Sequence, residues 1–136
     1  GLSEHFEGVE RLLINKSHFD LLKKGGMTFI SVPNSLNPPY RIFKLLAETL
    51  GVWKFGEEYP YARAELKNIC NELNVKQFFF LGDSIYQSFN FINPLKAFKK
   101  HFHIKPNFKL QNIKMEKGTP LDEYLSYALV LCAVKD

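Results

Sequence analysis

The run Leu21-Leu22-Lys23-Lys24-Gly25-Gly26-Met27-Thr28-Phe29-Ile30-Ser31-Val32-Pro33-Asn34 limits what this chain can fold into more than any other stretch. Lys23 and Lys24 suit the negative end of a helix dipole. Gly25 and Gly26 can take the φ > 0 geometry that ends a helix. Met27 to Val32 is a short apolar run, as expected of a strand covered on both faces. Pro33 stops the ladder because it has no N–H to donate. A helix feeding a buried strand through a tight turn is half of a βαβ crossover. The same piece also fits an ordinary helix–strand junction of other α/β or α+β folds.

The remainder supports an α/β reading of one domain over residues 1–136. Ser3 is a candidate N-cap for a helix from about Glu4 to Leu22, with Phe6, Val9, Leu12, Leu13, Phe19 and Leu22 on its apolar face. Arg41 to Leu50 reads as a helix in which Ile42, Leu45, Leu46 and Thr49 share a face. Gly51 ends it, and 52–61 is aromatic and glycine-punctuated, with the character of a lid or pocket wall. A helix from Ala62 or Arg63 to about Leu73 leads, through Asn74 with φ > 0, into a strand over Val75–Leu81 stopped by Gly82-Asp83. A short helix fits Pro94 to Phe102, an irregular excursion fits His103 to Pro120, and a turn fits Leu121 to Leu125. Tyr127 to Val134 is apolar throughout, hence a buried last strand.

Charge and cysteine narrow the function classes. The net charge of +4 is uneven: seven lysines and the single acid Glu116 lie between Lys96 and Lys117, so the rest of the chain carries −2. That argues against a broad nucleic-acid face and leaves a local anion contact at Lys96, Lys99, Lys100 and Lys105, with His101 and His103, or simply a solvated lysine face. Cys70 and Cys132 have neither metal spacing nor a disulfide framework, and no apolar run is long enough to span a bilayer. The expectation is a reducing, cytoplasmic setting, no membrane, and no metal site, since His101-x-His103 has no third ligand.

The order of elements, taken with Gly1-Leu2-Ser3-Glu4-His5-Phe6, the Leu22–Asn34 run, the helix around Glu65 to Leu73 and the strand Tyr127 to Val134, resembles the C-terminal half of a class I S-adenosylmethionine-dependent methyltransferase. In that family the first piece follows the fourth strand. The second is the helix and fifth strand, usually with Pro where Lys24 stands here. The third leads to the sixth strand, and the last is an antiparallel seventh. The resemblance implies a partial Rossmann-like sheet with flanking helices and a cap inserted at 35–61. The family's glycine-rich loop and the acidic residue that holds the cofactor ribose have no counterpart here. The chain is therefore expected to act as the C-terminal portion of a larger unit. Its partner would be a missing N-terminal half, or a second copy paired through an edge strand.

Open α/β sheets bind ligands beyond the carboxyl ends of their strands. Two such ends are legible, at Ser3-Glu4-His5 and at Pro33-Asn34. The resemblance implies that Ser3, Glu4 and His5 border S-adenosylmethionine, with His5 a candidate base toward a small-molecule acceptor. The same residues can instead simply start the helix. Asn34, Tyr40, Arg41, Trp53, Tyr59 and Tyr61 are candidates to line the acceptor site, Arg41 by pairing with an acidic group or by remaining a solvated helix residue. The reading is methyl transfer to a small molecule by the complete protein, with this portion alone inactive. The rivals are a non-catalytic methyltransferase-like binding module and nucleic-acid binding through Lys96–Lys117.

Overall fold

A computed structural model describes residues 2–84, Ser88 and 120–136. The expectations for 94–119, including the lysine-rich segment Lys96–Lys117, lie outside the described residues. The protein is α/β. A 3-10 turn (Ser3–His5) precedes α1 (Gly8–Asp20), β1 (Met27–Pro33), α2 (Pro38–Thr49), α3 (Arg63–Glu72), β2 (Gln77–Asp83), α4 (Pro120–Leu125) and β3 (Ala128–Val134). The three strands form one sheet in the order β1-β3-β2. β3 is antiparallel to both neighbours, so β1 and β2 run the same way. Met27, Val134 and Gln77 are level at one end, and Pro33, Ala128 and Asp83 at the other. The carboxyl ends of β1 and β2 therefore open on one edge, where β3 begins.

The core lies on one face of this sheet. Ile30, Val32, Phe80, Leu129, Leu131 and Ala133 meet Phe19 of α1 and Leu66, Ile69 and Cys70 of α3. β3 is buried almost throughout, as its unbroken apolar run implies. β1 is not covered on both faces. Its residues alternate, and Phe29 is 64% exposed while Ile30 and Val32 are buried. The open face carries Met27, Phe29 and Phe79, with Cys132 in register between the two phenylalanines. Period-two burial is hidden in this sequence because two of its outward positions, Met27 and Phe29, are apolar too.

The first helix is shorter than its periodicity suggests. Phe6 is extended, and Gly8 takes φ +52°, which breaks a single helix into the Ser3–His5 turn and α1. Leu2, not Ser3, holds the N-cap position of the turn, with no side-chain cap bond. The inward face of α1 is Leu12, Asn15 and Phe19, whereas Val9 and Leu13 are exposed. At its other end Lys135, just past β3, reaches back: Nζ donates to the carbonyls of Phe19 (3.0 Å), Asp20 (3.4 Å) and Leu22 (2.9 Å). A cation on the open carbonyls of a helix end satisfies both the hydrogen bonds and the dipole. The glycine turn is held by the same strand end, with Gly25 N–H donating to Lys135 O and Lys135 N–H to Gly26 O. Gly25 has φ +75°, and a Cβ on Gly26 would sit 2.8 Å from the Lys23 carbonyl. Of the Gly25-Gly26 pair, Gly25 alone adopts positive φ.

Helix α2 starts earlier than its apolar pattern, at Pro38. Asn37 caps it by accepting from Tyr40 N–H at 2.9 Å, and proline is well suited to the first turn. Its phase is also reversed. Tyr40, Lys44 and Ala47 face inward, and Ile42, Leu45 and Leu46 face out. β2 runs two residues later than expected and takes in Gly82 and Asp83, after which Ser84 turns with φ +61°. α4 replaces the expected turn. Asn74 does take φ +57° after α3.

Candidate functional site

The strand ends at Pro33 and Ala128 are tied down by two asparagines. Asn34 N–H donates to Tyr127 O at 2.8 Å, and its Nδ2 donates to the carbonyls of Glu123 (2.6 Å) and Ser126 (3.2 Å). Asn37 Nδ2 donates to Leu125 O (2.7 Å) and to the Ser88 hydroxyl. Both are fully buried. These amides substitute for a further strand pairing and fix the loop after β1 against the entry to β3. Asn34 thus serves the backbone at the strand end.

Residues 57–61 lie across the same edge. Tyr61 N–H donates to Pro33 O, Ser35 N–H donates to Tyr61 O, and Asn34 bridges Tyr61 in parallel. The Tyr61 hydroxyl donates to Ser3 O at 3.1 Å and accepts from Asn15 Nδ2 at 3.0 Å. Arg11 of α1 turns in toward Tyr61. Its guanidinium stacks 3.4 Å from the Tyr61 ring centroid, donates to the Tyr59 and Pro60 carbonyls, and pairs with Glu65 at 2.8 Å. Burial pushes the Tyr61 hydroxyl above its ordinary range, with Asn15 and Arg11 opposing. Tyr61 is fully buried and links the 3-10 turn, α1 and β1.

The Ser3–His5 turn is pinned by this loop. Tyr59 N–H donates to Glu4 O at 2.6 Å, and His5 Nδ1 lies 2.7 Å from Glu57 O. A carbonyl only accepts, so Nδ1 carries the proton and the neutral ring keeps its lone pair on Nε2. Ser3 and Glu4 are buried and His5 is exposed. Glu58 folds inward beside them, and the Tyr40 hydroxyl donates to its Oε2 at 3.4 Å. Burial first, then the nearby Glu4 carboxylate, raise the Glu58 carboxyl above its usual range, against Lys44 and His5. Burial and Glu58 raise the Tyr40 hydroxyl, and burial, Glu58 and Glu4 raise Tyr127. The two rings meet edge to face at 5.1 Å. Lys44 is buried, pairs with Glu48 one turn on and sits 5.1 Å from the Trp53 ring. Trp53 is half-buried and hydrogen-bonds Gly56 O.

Sequence reasoning named most of this wall, and the fold gathers Ser3, Glu4, His5, Tyr40, Trp53 and Tyr59 around it. Arg41 stays on the exposed side of α2, and Tyr59 points its hydroxyl to Glu57 at 3.2 Å. Glu58, Tyr127, Lys44 and Arg11 were missed. Glu58 had one readable signal, an acid inside an aromatic stretch. A further consequence is a donor set invisible as a spacing: Glu4, His5 and Glu58 each bring one ligand-capable atom within 4.8 Å of the others.

No protein-family model and no curated protein matches this sequence. Among the described residues no helix is long and apolar enough to cross a membrane.

Proposed function

We propose that this chain is the later portion of a Rossmann-like S-adenosylmethionine-dependent methyltransferase acting on a small-molecule acceptor. The observation that carries the reading is the strand order. A reversed strand lies between two co-directional ones, and it is the last of the three in sequence. The outer edge of β1 has no partner strand among the described residues. The Ser3–His5 turn, tied through Tyr61 to Pro33, sits at the carboxyl end of that edge strand. Such an edge is where open α/β sheets receive ligands.

The residues present do not by themselves fit the cofactor. Ser3 and Glu4 are buried, and only His5 of the three faces solvent. When bound in the complete protein, the cofactor supplies an electrophilic methyl on a sulfonium; the residues here would orient the acceptor. His5, its ring fixed by Glu57 O, offers Nε2 for an acceptor proton. The half-buried rings of Tyr127 and Trp53, backed by the buried Tyr40, form an aromatic wall, and positioning of the reactants supplies most of the acceleration. The two free thiols, Cys70 and Cys132, support a cytoplasmic setting.

Calorimetry tests this in two arms. The chain alone should show no micromolar binding of S-adenosylmethionine, and the protein translated from the whole reading frame should bind it. Failure of the second arm overturns the reading. One observation favours a second reading, a non-catalytic binding module: the open face with Met27, Phe29 and Phe79 and the outward Ile42, Leu45 and Leu46 of α2. A whole reading frame that never binds the cofactor would favour that module.

A further inference from the structure

We propose that Glu4, His5 and Glu58 form a binding site for a divalent first-row metal ion. Two carboxylates and an imidazole from distant parts of the chain converge within 4.8 Å. Ligands bonded at about 2.1 Å stand about 3 Å apart when adjacent and about 4 Å when opposite, so the spacing closes on an ion with small side-chain motion. The carboxylates are not surface acids. Glu4 is 4% exposed and Glu58 9%, and two like charges held together away from water repel strongly. A divalent cation between them removes that repulsion.

The second observation is independent of the acids. The Glu57 carbonyl takes the Nδ1 proton of His5 at 2.7 Å. Metal-bound histidines typically hold their other ring nitrogen this way, which fixes the tautomer and the ring plane. His5 is also the exposed member of the set, so the site has an entry from solvent. Lys44 approaches Glu58 from α2 but is engaged by Glu48 and Trp53. Mixed oxygen and nitrogen donors favour Mn2+, Fe2+, Co2+ or Zn2+ over Ca2+. The ion and a proton compete for the same lone pair of His5. A metal-loaded site would therefore hold an acceptor oxygen by coordination, with His5 a ligand.

The test needs no methyl donor, so it stands or falls apart from the methyltransferase reading. Mn2+ alone is titrated into the full chain, followed by electron paramagnetic resonance of the free ion. The expected result is saturable uptake of a single Mn2+ per chain at submillimolar concentration, with Zn2+ displacing it. Glu58→Gln and His5→Gln should each weaken binding at least about ten-fold, while Glu72→Gln, on the exposed side of α3, should not. His5 is exposed, so His5→Gln remains informative if the Glu58 variant does not fold. In the unaltered chain, bound Mn2+ should broaden the His5 ring proton signals first. Absence of saturable uptake, or uptake undiminished by His5→Gln with His5 signals unbroadened, overturns the proposal.

Discussion

Replacing Tyr61 by Phe isolates one oxygen that joins three parts of the fold. The ring, and its stack under Arg11, should stay. The hydroxyl's two partners, Ser3 O and Asn15 Nδ2, lose it. Neither is left wholly bare: Ser3 O still accepts from Phe6 N–H at 3.4 Å, and Asn15 Nδ2 still donates to Arg11 O at 2.7 Å. The cost is therefore about 2 kcal/mol, within the range for buried groups deprived of a partner and below the sum of two complete orphans. With about 2.1 cal/mol/K of unfolding entropy per residue, 136 residues give about 0.3 kcal/mol/K, and the melting temperature should fall by about 7 °C. Urea denaturation gives the free energy, and calorimetry gives the temperature. Native-state hydrogen exchange adds a local readout: the Phe6 amide, bonded to Ser3 O, should exchange faster than β3 amides. A loss under about 0.5 kcal/mol, the level of an ordinary surface change, would refute the assignment of Tyr61 as the tie. So would a full loss with the Phe6 amide unchanged.

Lys135→Met keeps the aliphatic stem but strips the carbonyls of Phe19 and Asp20 in α1, and of Leu22 just past it, of their cation; it should destabilise by about 1.5–3 kcal/mol in urea titration. On the sheet, Phe29→Ser should cost under about 1 kcal/mol, whereas Leu131→Ala, fully buried, should cost about 2–5 kcal/mol. Burial pushes the Cys70 thiol up to about 11 from 9.0. The unfolded chain then releases that proton first, so the native state binds more protons and stability falls as pH rises between those values, by about 2–3 kcal/mol. Cys70→Ala should flatten that part of the urea-midpoint profile, and at neutral pH neither buried thiol should react with a thiol reagent until the chain unfolds.

The elements the sequence makes legible are those whose burial and local geometry agree. β3 is apolar at every position and is covered almost everywhere. Asn74, which tolerates φ > 0, does mark the end of α3. Where apolar residues face solvent, pattern loses its meaning. Ile42, Leu45 and Leu46 correctly announce a helix and wrongly announce its inward side, because the interior position is filled by Lys44, whose charge Glu48 and Trp53 accommodate. Met27 and Phe29 disguise the alternation of β1 in the same way. The candidate site was legible by segment and not by partner. Ser3-Glu4-His5 could be singled out as a strand-end turn, but Glu58 joins them across more than fifty residues of chain, and only the folded loop brings it there.

The sheet's topology has a consequence for biosynthesis. Among the described residues β1 and β2 touch each other nowhere in the ladder, and each pairs with the strand translated after both. Until the ribosome delivers Ala128–Val134, two phenylalanine-bearing strands each wait with the edge that will meet β3 unpaired. Assembly of this layer thus waits on its last strand, and a nascent chain halted shortly before residue 128 should lean on chaperones far more than one in which residues 128–134 have left the ribosome.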